Sequence, residues 1–337
     1  MVKSETIVLL DSKNVAHRFG HTHRGLSSNG RPTSVLFGVI SGVLSLARKL
    51  PNTPFVFVWD GGGKTWRHEL GDKQYKANRV HIVSRTKEEE QSRKDIYIQI
   101  PQLKEFCNNI GLRSFEVHGL EGDDLIGMLA SEIIRKDLFQ KVIIHSGDRD
   151  FYQLLSPRIQ ILKDQKEGRL RWVQPKEIEQ DFGIKIQDYI KMRALCGDPG
   201  DNILKVCDGL GEKTAAKLVA QGLDGSAECY QDLPRAARKL FAEGIKIRGK
   251  AYSIKDNWEK IHTNYRLCRI VTDPADTCLS VEVRRQLKKT FSHLDRKHLL
   301  RDKESLTDSQ WHWLSSYLAD LDMQDLFARR GEIWALP

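Results

Sequence analysis

Nine acidic residues stand where they could do chemistry: Asp11, Asp60, Glu121, Asp123, Asp124, Asp148, Asp150, Asp198 and Asp201. The apolar run "TIVLL" ends at Asp11 and "FVFVW" ends at Asp60. "SFEVHGL" leads to Glu121, and "KVIIHS" runs through Gly147 to Asp148. In "GLEGDDLIGMLA" the apolar spacing predicts a helix whose first turn carries Glu121, Asp123 and Asp124. Helix N-termini favour negative charge, which accounts for one or two of these acids at a few tenths to ~1 kcal/mol each. Three acids there, beside three at strand ends, repel one another unless a cation neutralises them. A divalent metal is the economical answer. Oxygen donors with no His or Cys cluster favour Mg²⁺ or Mn²⁺ over zinc. Two such ions, ~3.5–4 Å apart in many nucleases, activate water and stabilise the leaving oxygen of a phosphodiester. "HSGDRDFYQLL" adds Asp148 and Asp150 at alternate positions, and the turn-rich "CGDPGDNI" adds Asp198 and Asp201.

The stretch "FVFVWDGGGKT" is not a nucleotide-binding P-loop. That motif would need a glycine at position 58, which is Val58. What remains is a carboxylate at the end of a strand. The four apolar runs alternate with helical patterns, which argues an α/β fold with a central, mostly parallel twisted sheet flanked by helices. Ligands of such sheets sit at the carboxyl ends of the strands. The acids should therefore meet at one edge. A hairpin, "RIQILKDQKEGRLRWV", should close the sheet, and from about residue 175 the pattern becomes helical and loop-rich. This places a boundary near 182, with a catalytic domain over residues 1–182 and a helical region over residues 183–337.

A net charge of +9 and a pI near 9.2 favour an anionic partner. The six cysteines are dispersed, with no C-x-x-C pair, and read as reduced. The apolar start is too short for a signal peptide and no run is long enough to span a bilayer, so a cytoplasmic protein without a membrane partner is expected. His17, His21 and His23 read as a loop without a metal, and Trp311 and Trp313 as packing for a terminal helix.

The ordered set "LLDSKNVAHRF", "VWDGGGKTWRHEL", "YKANR", "GLEGDDL", "HSGDRDFYQLL", "CGDPGDNI" and "GLGEKTAAKLV" resembles the 5′ nuclease (flap endonuclease) family. It is most similar to bacteriophage 5′-3′ exonucleases and the 5′ nuclease domain of bacterial DNA polymerase I. The resemblance implies a PIN-like core, a helical arch at about 64–95 and a helix-hairpin-helix (helix-3-turn-helix) element at about 184–224. It implies two metal sites. Asp11, Asp60, Glu121, Asp123, Asp124 and Asp148 surround the tighter one; Asp150, Asp198 and Asp201 belong to the second, with Asp148 between them. The "GGG" after Asp60 departs from the usual single glycine. "WLSSYLADLDMQDLFARR" looks like the helix pair that closes the polymerase-type domain, and with no polymerase following, a stand-alone nuclease is expected.

Lys64 to Lys87 holds seven Lys or Arg against two acids, interleaved with Trp66, Tyr75 and His81. Such a mixture suits single-stranded nucleic acid. By resemblance it is the arch. Lys76 and Arg79 would stabilise charge on the scissile phosphate, Arg18 would sit at the base of the opening, and Tyr75 would either stack on a base or be buried against the arch. Gly209 and Gly211 would let backbone amides approach a phosphate, Lys213 and Lys217 would contact others, and K⁺ would bind at this turn. The basic cluster Arg235 to Lys260 would extend the duplex surface. The implied activity is Mg²⁺-dependent cleavage, with Mn²⁺ able to substitute, at a 5′ flap, nick or end of DNA or an RNA–DNA hybrid. A monomer working with replication proteins such as a single-strand binding protein is expected. An RNA-processing nuclease would explain the acids but not the hairpin or arch, and a non-catalytic junction binder would leave the acids without a purpose.

Overall fold

The structure is a computed structural model that describes residues 5–71, 74–77, 86–165, 168–301 and 307–337. Strand β1 (Thr6–Asp11) lies at the centre of a six-stranded sheet. On one side it pairs in parallel with β4 (Phe55–Val58), which pairs in parallel with β5 (Arg113–Phe115). On the other it pairs in parallel with β6 (Lys141–His145), followed by β7 (Ile159–Asp164) and the antiparallel β8 (Leu170–Trp172). The last pair is the expected hairpin. A two-strand ribbon, β2 (Ser27–Ser28) and β3 (Arg31–Pro32), stands apart from the sheet.

Both faces of the sheet are covered, which is why its central strands are continuously apolar. Side chains alternate across a strand. Ile7 and Leu9 face α5 (Gly122–Arg135) and the apolar residues between 173 and 299; Val8 and Leu10 face α1 (Ser12–Thr22), α2 (Ser34–Lys49), α4 (Lys87–Asn109) and the last helices of the chain. Between β4 and α4 lies the short α3 (Trp66–Leu70). Thr86 and Glu89 form a reciprocal capping box that fixes where α4 starts. Arg79 and His81 of the expected arch lie outside the described residues.

Beyond β8 come α6 (Pro175–Phe182), α7 (Tyr189–Cys196) and α8 (Glu212–Ala220), the last two joined by the loop carrying Asp198 and Asp201. Then follow α9 (Arg235–Leu240), a hairpin of β9 (Ile245–Ile247) and β10 (Lys250–Tyr252), α10 (Trp258–Cys268), α11 (Val281–Ser292) and α12 (Arg296–Leu299). Helices α13 (Asp308–Asp320), α14 (Gln324–Ala328) and α15 (Arg330–Trp334) return to pack on α2 and α4. The buried Arg301 fastens this return by donating to the carbonyls of Ile110, Ile333, Trp334 and Leu336. Trp311 meets Trp334 edge-on, and Trp313 stacks on Tyr317, as terminal-helix packing requires. No helix among the described residues is long and apolar enough to cross a membrane.

Candidate active site

The register sets the first three acids side by side. Asp11 lies opposite Val58, and Leu10 opposite His145, so the carboxyl ends of β1, β4 and β6 deliver Asp11, Asp60 and Asp148 to one edge. Asp11 closes β1 and caps α1: one oxygen accepts from the Asn14 amide at 3.2 Å, the other from the Ser146 hydroxyl at 2.7 Å. Burial, with repulsion from Asp148 and Asp60 added, pushes its carboxyl up to about 7. Asp60 accepts from the Gly122 amide at 2.8 Å and pairs with Lys13. The glycine run after it has a local cause. A side chain on Gly61 would fall 1.7 Å from the Val117 carbonyl oxygen, and Gly62 and Gly63 have φ of +63° and +77°.

The start of α5 is organised by Arg67, one of the largest fully buried side chains. Its guanidinium grips both oxygens of Asp124 at 2.8 Å each and one oxygen of Glu121 at 3.1 Å. It also donates to the carbonyls of Leu267 and Arg269 at 3.0 and 2.7 Å. Asp124 accepts further from Trp66 Nε1 and the Val271 amide, both at 2.9 Å. Asp124 is fully buried, does not line the acidic cavity, and is not placed to hold a metal with the others. This corrects its expected role. Consecutive helical residues point about 100° apart, so Asp123 faces the cavity while Asp124 joins the core face with Gly127 and Met128. Burial would raise Glu121, but Arg67 and Lys76 overcome it and hold the carboxyl down at about 2. Burial pushes Asp123 the other way, well above the carboxylate range, and repulsion from Asp124 and Glu121 adds to it.

A second acidic group faces the first. Arg193 of α7 bridges Asp150 at 3.2 Å and Asp198 at 3.0 Å. Burial and the neighbouring Asp148 raise Asp150 to about 7 even so. Lys76 spans the two groups, with Nζ 2.8 Å from Glu121 and 3.7 Å from Asp201. Its amide donates to the Asp201 carbonyl at 2.8 Å, and its φ is +57°, a conformation that a non-glycine residue rarely adopts. Tyr75 beside it is 5% exposed, and its hydroxyl donates to Glu121 at 3.0 Å. Of the two expected roles for Tyr75 the structure shows burial: with its ring in the core and its hydroxyl on a carboxylate it has no face to offer a base. Arg18 also departs from expectation. It pairs with Asp164 and packs over Phe19, beside the buried His145 and away from the acidic cavity.

Eight of the nine acids line one open cavity of about 1030 Å³: Asp11, Asp60, Glu121, Asp123, Asp148, Asp150, Asp198 and Asp201. Its opposite wall is α1 and α4, with His17 and His21 on the helix α1 rather than on a loop, and Arg93 and Tyr97 on α4. Among the described residues no three ligand side chains converge on one coordination point: Lys13 pairs with Asp60, and Lys76 and Arg193 each lie between two carboxylates. The donor set still fits a hard divalent cation. It is rich in carboxylate oxygen, and burial with mutual repulsion raises three of its members. Sequence reasoning missed Arg67, Lys13 and Arg193. Arg67 was counted with the arch cations, and only its place next to the buried Trp66 hints otherwise.

Beyond the second acidic group, Gly209 and Gly211 precede α8. Gly209 has a φ of +82°, whereas Gly211 is exposed with nothing within 4 Å of where a side chain would stand. Lys213 and Lys217 are exposed on α8.

Residues 6–183 match the family model for the 5′-3′ exonuclease N-terminal, resolvase-like domain. DNA polymerase I of Pseudomonas aeruginosa is 33% identical over 269 residues, 79% of this chain and 27% of that protein. The chain therefore spans less than a third of the polymerases it matches. The 5′-3′ exonuclease of Buchnera aphidicola is 27% identical over 86% of this chain and 93% of its own length. Among solved structures, the T5 5′-exonuclease with bound divalent metal ions (zinc) superposes with a TM-score of 0.65 at 20% identity, covering 85% of this chain and 98% of that one. The bacteriophage T5 flap endonuclease in a pseudo-enzyme–product complex with DNA and metal ions gives 0.63. What the T5 structures share with this chain is the fold, a parallel-centred sheet flanked by helices. This chain belongs to the 5′-3′ exonuclease family.

Proposed function

We propose that this chain is a divalent-metal-dependent, structure-selective 5′ nuclease that hydrolyses phosphodiester bonds near 5′ ends or flaps of DNA, RNA primers included. The observation that carries this reading is the gathering of eight carboxylates, from strand ends, the start of α5 and the loop after α7, around one open cavity. Family membership and the metal ions and DNA in the T5 structures support it. Asp11, Asp60, Glu121, Asp123 and Asp148 would hold one Mg²⁺, and Asp150, Asp198 and Asp201 a second, with Asp148 between. Mn²⁺ has the same ligand preference. When bound, the ions supply Lewis acidity at the phosphodiester and neutralise the acids. The chain's own residues do the positioning. Ser146 and Asn14 orient Asp11, Arg67 fixes Glu121, and Arg193 holds Asp150 and Asp198. Lys76, between the groups, brings a cation to where the phosphate's charge develops. Lys213 and Lys217 reach duplex phosphates.

The test compares end-labelled 5′ flaps, nicked duplexes, RNA-primed duplexes and single strands with Mg²⁺ and with EDTA. Cleavage at 5′ structures with Mg²⁺ alone is expected. Cleavage that survives EDTA, or binding of junctions with no cleavage under any divalent ion, would overturn the reading.

A further inference from the structure

The β9–β10 hairpin carries an unusual turn. Its two loop residues, Arg248 and Gly249, have φ of +49° and +79°, the pattern of a type I′ turn. The second loop position has the expected glycine. The first strongly prefers Asn, Asp or Gly, because a longer side chain is disfavoured in the left-handed region. Arginine there costs local stability, so its presence calls for a role of the side chain itself.

That side chain lies on the Gly-Leu-Gly turn. A side chain on Gly209 would meet Arg248 Cδ at 2.9 Å and Nε at 3.1 Å. The hairpin is tied to the same turn by the Tyr252 hydroxyl, which donates to the Asp208 carbonyl at 3.4 Å. Lys246 and Lys250 on the hairpin are exposed, as are Lys213 and Lys217 on α8. Among the described residues none of these lysines, nor Arg248, has a carboxylate partner. Cations left unpaired on adjoining elements form an electrostatic footprint for a polyanion.

We propose that the β9–β10 hairpin is a second duplex-binding arm, with Arg248 contacting a backbone phosphate of duplex DNA next to the Gly209–Gly211 turn. The proposal rests on the nuclease reading for its choice of DNA, but it concerns binding and not cleavage. An exposed arm beside the Gly209–Gly211 turn lengthens the duplex that the chain can hold.

The variant Arg248→Asn separates fold from function. Asn adopts positive φ more readily than Arg, so the thermal midpoint should stay the same or rise while the cation is lost. Binding of the full chain to a labelled plain duplex and to a single strand of equal length is measured by anisotropy in EDTA across a salt series. For the duplex, a several-fold rise in Kd and a fall in salt slope of about 0.9 are expected for one lost phosphate contact. Single-strand affinity should change less than the duplex affinity. Lys246→Gln, which leaves the turn intact, should act in the same direction. Wild-type duplex affinity and slope in both variants, or equal losses on single strand and duplex, would overturn the proposal. Failure of the nuclease reading would appear separately, as a wild-type chain without metal-dependent cleavage.

Discussion

Replacing Arg67 tests how the acidic edge is built. The guanidinium is 2% exposed and makes five hydrogen bonds, three to carboxylates and two to carbonyls, while packing over Trp66 at 4.6 Å. In Arg67→Met, Asp124 keeps Trp66 Nε1 and the Val271 amide but loses its bidentate partner, at zero exposure. Removing one member of such a buried pair costs ~3–5 kcal/mol, a large share of the ~5–15 kcal/mol that holds a domain together. Pairing Arg67→Met with Asp124→Leu removes both charges, and much of that loss should return. Activity should not return with it, because Glu121 has still lost its fixed partner. Urea denaturation followed by tryptophan fluorescence measures the cycle, and cleavage is assayed on the same samples. A loss below about 1 kcal/mol in Arg67→Met would refute the buried-hub argument. So would an Asp124→Asn variant of wild-type stability with Mg²⁺ affinity lowered as far as in Asp11→Asn, which would return Asp124 to the metal.

Asp148→Asn should abolish cleavage and leave DNA affinity near wild type, as measured by anisotropy beside single-turnover rates. Lys76→Ala should slow single-turnover cleavage by roughly 10²–10³ with a much smaller change in Kd; a proportional rise in Kd at an unchanged saturated rate would make it an ordinary binding residue. Mg²⁺ should raise the thermal midpoint at neutral pH and do so less as the pH falls. The sign follows from the acids: Asp11 and Asp150, raised to about 7, are protonated below that and cost the metal-free fold nothing at pH 4, while their burial penalty grows from pH 4 to 7. Glu121 acts oppositely, its contribution being present above its ordinary value and lost as pH falls toward 2. A midpoint shift equal at pH 5 and pH 8, read by thermal scans with and without EDTA, would contradict the assignment of these acids.

The strand-end acids were legible because a parallel sheet leaves little freedom: an unbroken apolar run closing on Asp must present that Asp at the carboxyl edge, and Asp11, Asp60 and Asp148 do so. The β7–β8 hairpin was legible from its Gly-containing turn. What failed was the fate of charged residues one position apart. Asp123 and Asp124 are chemically identical in the sequence, and what separates them is the set of partners that Asp124 draws from far along the chain, Arg67, Trp66 and the Val271 amide. Arg67 and Tyr75 sit in a run that reads as a basic, aromatic surface, yet both are buried, because carboxylates at the start of α5 need partners from across the fold. Sequence distance hides such partners. Arg67 and the Leu267 carbonyl it holds are 200 residues apart.

Exposure sorts the ion pairs of this edge into two kinds, and that division bears on how it could work. Arg67 and Asp124, at 2% and 0% side-chain exposure, cannot trade partners without stranding a buried charge, so they belong to the scaffold. Lys13 and Asp60, at 33% and 36%, form a pair of the kind worth ~0–1 kcal/mol, which competing ions displace at little cost. Lys76 and Arg193 lie between these extremes, at 19% and 12%. The acids thus sit on a rigid floor and are lined by cations of graded hold. A divalent ion displacing Lys13 from Asp60 would leave its ammonium lining the same cavity as the phosphate, so the residue that neutralises the edge would also draw the substrate toward it. Lys13→Met should then raise the apparent affinity for Mg²⁺, by removing a competitor, while weakening binding of a 5′ flap measured with Ca²⁺ in place of Mg²⁺. If both affinities fall together, Lys13 is part of the scaffold after all.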